Sequence, residues 1–340
     1  MGVDIGSLFD RQKISFKDLQ NRVIAIDAHN VLHQFLSIIR GRDGNPLKDS
    51  KGRITSHLSG ILYRTGSLVE SHIKPVYIFD GEPHLLKAKT LEERRKRKIV
   101  AEEEYQKALE EGDLEKARTK AQQTSKVTDE IVEQSKKLLD SLGIPYIQAP
   151  GEGEAQASYI VKQGDAHAVG SQDYDCLLIG TPVLVKNLTS SGRRKLPGKK
   201  SYVKITPELV KLKPNLKKLG ISREQLVDMA ILIGTDFNEG IKGIGPKTAL
   251  KLIKKNGNAE NVIANLGDSN APTFEEIKQI RKIFLEPEIN EDYSLKWSLP
   301  DKEKTKEILC DRHQFSENRV EKALKKYDNL DDIIKQQTLF

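Results

Sequence analysis

The chain has 340 residues, with 56 Lys and Arg against 49 Asp and Glu for a formal charge of +7, and it is 37% hydrophobic and 31% charged. That length builds a sizeable core as one large domain or two. No run of about 18 apolar residues is present, which argues against a helical membrane span. The opening MGVDIGSLFDRQ lacks the basic-then-apolar pattern of a secretory leader. Two cysteines, Cys176 and Cys310, are too few for a disulfide framework or a Cys-rich zinc site.

Apolar runs bounded by polar residues predict strands at 23–27, 76–80, 144–148, 166–170 and 183–187. Helical periods alternate with them at 30–40, 55–72, 129–142 and 153–163, the pattern of a mainly parallel α/β sheet flanked by helices. From Pro83 to Lys126 the chain is rich in Ala, Glu, Lys and Arg and poor in Val, Ile and Phe. Its composition predicts a helical hairpin broken at Gly112 and Asp113, projecting from the body with too little apolar surface to join a core. The second half turns mainly helical. Ser222 and Gln225 predict a capping box ahead of an apolar helix.

Acidic residues cluster where strands end. Asp27 closes VIAID and Asp80 closes VYIFD. Glu152 and Glu154 lie in APGEGEAQA, Asp173 and Asp175 in SQDYDCLLIG, and Asp236 follows ILIGT. A single such Asp is usually a helix cap or a turn residue. Seven together carry more weight, because ligands of open α/β sheets gather at the carboxyl ends of strands. Converged carboxylates repel one another unless a cation lies between them. Hard oxygen donors suit Mg²⁺ or Mn²⁺, so the pattern predicts a two-metal centre for phosphoryl chemistry. With these acids committed to metals, the remaining surface is basic and favours a polyanion.

Three basic segments follow. Lys87 and the run Arg94, Arg95, Lys96, Arg97, Lys98 come just after Asp80. Lys87 and Arg94 are seven residues apart and share a helix face, from which both could neutralise a scissile phosphate. The loop SSGRRKLPGKKS, with Arg193 and Arg194, could grip a duplex backbone. In GIKGIGPKTALKLIKK, Gly240, Gly243 and Gly245 precede Pro246 and a helix bearing Lys247, Lys251, Lys254 and Lys255. A glycine turn aimed at a helix N-terminus makes a backbone nest for phosphate that reads no base sequence.

Taken together, VIAIDAHNVLHQFL, YIFDGEP, APGEGEAQASY, SQDYDCLLIG and GTDFNEGIKGIGPKTALKLI resemble the flap endonucleases of the structure-specific 5′ nuclease superfamily, in an archaeal-like form. The resemblance spans nearly the whole chain. It implies a PIN-like 5′ nuclease fold, an α/β fold with a mixed, mainly parallel central sheet flanked by helices, and a single nuclease domain over 1–330. Within it would lie an N-terminal nuclease region 1–105, a helical arch at about 83–128, and an internal nuclease region 120–260 with a helix–two-turn–helix at 225–256. A tail, 331–340, would follow. The implied activity is two-metal cleavage of 5′ flaps, with 5′–3′ exonuclease activity, in replication and repair. Asp27, Asp80, Glu152 and Glu154 would hold one Mg²⁺. Asp173, Asp175 and Asp236 would hold the other, with Glu154 reaching both. Lys87 and Arg94 would be the catalytic arch cations. Gly2 would lie near the active site and a K⁺ at the helix–two-turn–helix. Contacts to branched DNA would come from Gly2, His33, Arg97, Lys98, Arg193, Arg194, Gly243, Gly245, Lys247 and Lys251. His33 stands where the family has an aromatic stacking residue, and a histidine can stack too. The tail KQQTLF carries only the front of a sliding-clamp motif, in Gln336, Leu339 and Phe340. The implied protein is a monomer without a membrane partner, working in the cytoplasm at the nucleoid if archaeal and in the nucleus if eukaryotic. A bubble-cutting repair nuclease or 5′–3′ exonuclease of the same superfamily, and a non-catalytic clamp-associated DNA-binding protein, remain as alternatives.

Overall fold

The computed structural model describes residues 2–41, 44–113, 119–121, 124–190, 193–195, 202–266 and 271–337. Two compact units interleave along the chain. The first comprises 1–15, 80–91 and 148–291, and the second 16–79, 92–147 and 292–340.

In the first unit, Ala168–Gly170 pairs in parallel with Val183–Lys186, Val169 opposite Leu184. Val183–Lys186 pairs on its other edge with antiparallel Glu208–Lys211, which in turn pairs with Gln12–Lys13. The sheet is therefore mixed, as expected, although the two antiparallel strands were not foreseen. Val169, Leu184 and Val185 are fully buried, as expected of β-branched and leucine residues in an interior strand. Helix Gly153–Gln163 buries Ala155, Ala157 and Ile160 and stops at Gly164, which takes the left-handed conformation (φ 89°). Arg223–Ile233 opens with the capping box: Gln225 N–H donates to Ser222 Oγ at 3.2 Å and Ser222 N–H to Gln225 Oε1 at 3.0 Å. Pro246–Asn256 follows the glycine turn with Pro at its start. It buries Ala249 and Ile253 and leaves Lys247, Lys251, Lys254 and Lys255 exposed. Arg193–Lys195 and Tyr202–Lys204 form a small antiparallel ribbon; the rest of that basic loop lies outside the described residues.

In the second unit, Val23–Asp27 runs parallel to Lys74–Phe79, with Asp27 opposite Ile78. The latter strand begins two residues earlier than predicted and ends at Phe79, so Asp80 is the first residue beyond it. Helix Ala28–Ile38 buries Val31, Leu32, Phe35 and Leu36. The predicted helix 55–72 is three pieces, Ser56–Gly60, a π-helical turn Ile61–Thr65, and Gly66–Glu70. Tyr327 packs against it with no exposure, its hydroxyl donating to Leu62 O at 2.8 Å.

Helix Ala88–Glu110 corrects one expectation. It is charged and exposed along most of its length, yet Ala101, Tyr105 and Ala108 are buried, and Tyr105 and Ala108 cluster with Ala121. Ala101, Tyr105 and Ala108 follow a helical i, i+4, i+7 stripe. Tyr105 Oη donates to Asn45 Oδ1 at 3.0 Å. Alanines supplied the buried stripe, which a count of Val, Ile and Phe does not register. The helix breaks after Glu110 as expected, while most of the second arm lies outside the described residues.

Candidate active site

Six of the seven carboxylates belong to the first unit, and Asp27 belongs to the second. Asp80 Oδ1 accepts the Gly153 N–H at 2.9 Å, which seats that acid on the N-terminus of the helix whose first turn holds Glu154. Glu152 is the residue just before that helix. Gly81 binds the same loop, its N–H donating to Gly151 O at 2.6 Å. A β-carbon at Gly81 would stand 2.2 Å from Pro150 O and 2.4 Å from Ala149 O, so glycine is required for this approach.

Asp173 and Asp175 are held by the chain's start. Gly2 N–H donates to Asp173 Oδ1 at 3.2 Å and Val3 N–H to Asp175 Oδ1 at 2.8 Å. A β-carbon on Gly2 would lie 2.3 Å from Asp175 Oδ1. Gly2 is thus placed against the acids as expected, and Val3 is a site residue the sequence did not reveal. Lys186 stacks on the Tyr174 ring at 3.8 Å and donates to Gln172 O, fixing the loop between the two acids. Asp175 is buried. Its pKa is pushed up to about 7, first by desolvation and then by the negative charges of Asp173 and Asp236, against the Val3 N–H bond.

Lys87 supplies the cation beside the other acids. It bonds Glu152 and lies 3.8 Å from Asp236. Burial alone would lower its pKa, but Glu152, Asp236 and Glu154 hold it above the ordinary lysine range. Lys87 sits in a short 3₁₀ turn, Leu85–Lys87, ahead of the helix that starts at Ala88. Arg94 lies within that helix, in its part that belongs to the second unit.

In the second unit, Asp27 caps helix Ala28–Ile38 by accepting the Asn30 N–H at 2.9 Å. The bland role of a cap is thus real at this acid. His33 is exposed, yet its pKa falls to about 4 through local desolvation and then the charges of Lys98, His29 and Arg94. A neutral imidazole suits stacking better than ion pairing. Arg97 pairs along its own helix with Glu93 at 3.5 Å. In the hairpin, Gly243 (φ 88°) and Gly245 lead into the helix bearing exposed Lys247 and Lys251. Gln336 lies in the last turn of helix Leu330–Gln337, whereas Leu339 and Phe340 lie outside the described residues.

Among the described residues, no three His, Cys, Asp or Glu side chains already form a metal cage. The donor set nevertheless fits hard divalent cations: it is all carboxylate, and the negative charges of Asp173 and Asp236 raise the proton affinity of Asp175, a repulsion a cation would relieve. Among the described residues no helix is long and apolar enough to cross a membrane.

Residues 5–101 match the family model of the XPG N-terminal domain and residues 143–236 that of the XPG I-region. The chain is 53% identical to a Flap endonuclease 1 of Methanosarcina barkeri over 326 residues, covering 96% of this chain and 95% of that protein. It is 51% identical to a Flap endonuclease 1 of Pyrococcus abyssi over 340 residues, covering 100% and 97%. The solved flap endonuclease-1 of Methanococcus jannaschii superposes with a TM-score of 0.76 at 43% identity, covering 99% of this chain and 100% of that one. The catalytic core of Rad2 in complex with DNA substrate, 22% identical with a TM-score of 0.68, shares the fold. The chain belongs to the Flap endonuclease 1 family.

Proposed function

We propose that this protein is a structure-specific 5′-flap endonuclease, with 5′–3′ exonuclease activity, that removes flaps during DNA replication and repair. The observation that carries the reading is the gathering of acids in one unit: Lys87 bonds Glu152 and lies beside Asp236, whose charge also acts on Asp175. Asp27, Asp80, Glu152 and Glu154 would hold one Mg²⁺, and Asp173, Asp175 and Asp236 the other, with Glu154 reaching both; Mn²⁺ would substitute. When bound, the ions supply Lewis acidity and a lowered pKa for the attacking water.

The protein's own groups do the rest. The Gly2 and Val3 N–H groups fix the orientation of Asp173 and Asp175. Lys87, already beside Glu152 and Asp236, would offset charge on the phosphate, with Arg94 as its partner cation. The products are a 5′-phosphate and a 3′-hydroxyl. The target nucleotides must unpair to reach the acids, an unstacking cost of a few kcal/mol. The turn at Gly243 and Gly245, with Lys247 and Lys251 and a K⁺, would grip the duplex through its backbone. His33, Arg97, Lys98, Arg193 and Arg194 would add contacts to the branched DNA. The arch would select a free 5′ end by threading.

We carry residues 1–330 as one nuclease domain and 331–340 as a clamp-binding tail acting through Gln336, Leu339 and Phe340. The protein would work as a monomer at the nucleoid. Cleavage of labelled 5′-flap, blunt and bubble DNAs tests the reading. Preferred cutting at the flap base supports it, and equal or greater cutting of the bubble points to the repair nuclease.

A further inference from the structure

The start of the arch helix, with the turn before it, and the loop just before the duplex-binding turn are joined side by side at three places. His84 meets the Phe237 ring edge-on at 6.1 Å. Lys87 Nζ stands 5.7 Å from the centre of the same ring and 3.8 Å from Asp236. Lys89 pairs with Glu239 at 2.6 Å. All six contacting residues lie within 84–89 and 236–239, in one unit. Phe237 is itself anchored edge-on against Phe284 at 5.5 Å, and Phe284 is only 2% exposed.

Each contact has a physical reason. The π face of Phe237 attracts an ammonium within about 6 Å. Tilted aromatic pairs at these separations are favourable beyond their burial. A lysine on an unbranched four-carbon stem has many rotamers, so a ring that fixes one of them lowers the entropy of presenting the charge. The Phe237 ring is half-buried and not a core side chain, and the face it offers goes to Lys87. The loop carrying Asp236, Phe237 and Glu239 enters the Gly240–Gly245 turn without an intervening element.

We infer that Phe237, supported by His84 and the Lys89–Glu239 pair, is a positioning clasp that holds the Lys87 ammonium over the acids and ties its placement to the loop entering the duplex-binding turn. This rests on the reading of Lys87 as the cation facing the scissile phosphate. Phe237 acts through Lys87 and has no chemical step of its own.

The test is a double-mutant cycle in single-turnover cleavage of a labelled 5′-flap DNA with saturating Mg²⁺, alongside equilibrium binding of the same DNA in Ca²⁺. Lys87→Ala is expected to slow cleavage about 100-fold, in the range found for groups that stabilise developing charge. Phe237→Leu is expected to slow it about tenfold, a fraction of what a misplacement of about 1 Å costs, with binding within about twofold. Phe237→Tyr, which keeps the π face, should recover most of the rate. In the Lys87→Ala background Phe237→Leu should cost nothing more, because coupled residues are not additive. An equal loss in both backgrounds makes Phe237 a scaffold residue and overturns the clasp. A wild-type rate for Lys87→Ala overturns the reading of Lys87 itself. Lys89→Glu guards against misfolding, since both partners of that pair are largely exposed (side chains 74% and 69%). It should slow cleavage about threefold and be restored by adding Glu239→Lys, as expected of coupled neighbours; a swap that restores nothing also overturns the clasp.

Discussion

Gly81→Ala isolates the join between Asp80 and the loop bearing Glu152. The added β-carbon would stand 2.2 Å from Pro150 O and 2.4 Å from Ala149 O, both main-chain atoms with no side chain able to swing away. Non-bonded carbon–oxygen pairs need about 3 Å or more, so the two segments must part by about 1 Å, an overpacking that typically costs about 1–3 kcal/mol of stability. The hydrogen bond from Gly81 N–H to Gly151 O at 2.6 Å would stretch with them. A displacement of about 1 Å at a catalytic constellation costs about 100-fold in rate, or about 2.7 kcal/mol of barrier. Single-turnover cleavage and urea denaturation on the same sample separate the two effects. The expected result is a rate loss near 100-fold with a folded protein. Cleavage within about twofold of wild type refutes the reasoning, because it would mean that the spacing of Asp80 and Glu152 does not matter.

Three further outcomes follow from other parts of the fold. Asp228 is 2% exposed and accepts two bonds from Arg281 at 2.9 and 2.7 Å, while Arg281 also reaches Glu260 at 2.8 Å. Arg281→Leu should therefore cost about 3–5 kcal/mol in denaturation, and Asp228→Leu with Arg281→Leu much less, since removing both partners leaves no buried charge; equal losses would contradict this. His57 is fully buried with its Nε2–H donating to Gln134 at 2.9 Å, and burial lowers its pKa to about 4. The folded state favours neutral imidazole, so this stability is complete above about pH 6.5 and is lost as the pH falls from there toward 4, up to about 3 kcal/mol. His57→Gln should flatten the fall in melting temperature over that window, and an unchanged pH profile would assign the fall to other groups. Lys247→Ala and Lys251→Ala should each weaken binding similarly across DNA sequences and reduce the salt slope by about 1; a change in sequence preference would place these lysines on base edges.

Much of the site was legible because strands announce themselves through apolar runs, and their acidic ends stand out against them. Asp173, Asp175, Glu152 and Glu154 were readable in this way. The capping box at Ser222 and Gln225 was equally local and formed as expected. What escaped the sequence depends on distance along the chain. Val3 reaches Asp175 across 172 positions, and nothing in either segment encodes that meeting. Phe237 and Lys87 are 150 positions apart, and nothing in the sequence around either one shows that the fold sets the ring under the ammonium. The buried stripe Ala101, Tyr105 and Ala108 hid among charges because alanine serves equally in a solvated helix and in a close-packed one.

The most direct measurement is cleavage of a labelled 5′-flap DNA in Mg²⁺ by wild type and by Asp175→Ala, with the flap's 5′ end free or blocked. The account predicts cutting at the flap base, its loss in Asp175→Ala with DNA binding retained, and a sharp fall when the end is blocked. Cutting that persists in Asp175→Ala would contradict the carboxylate centre, and unchanged cutting of the blocked flap would contradict threading through the arch.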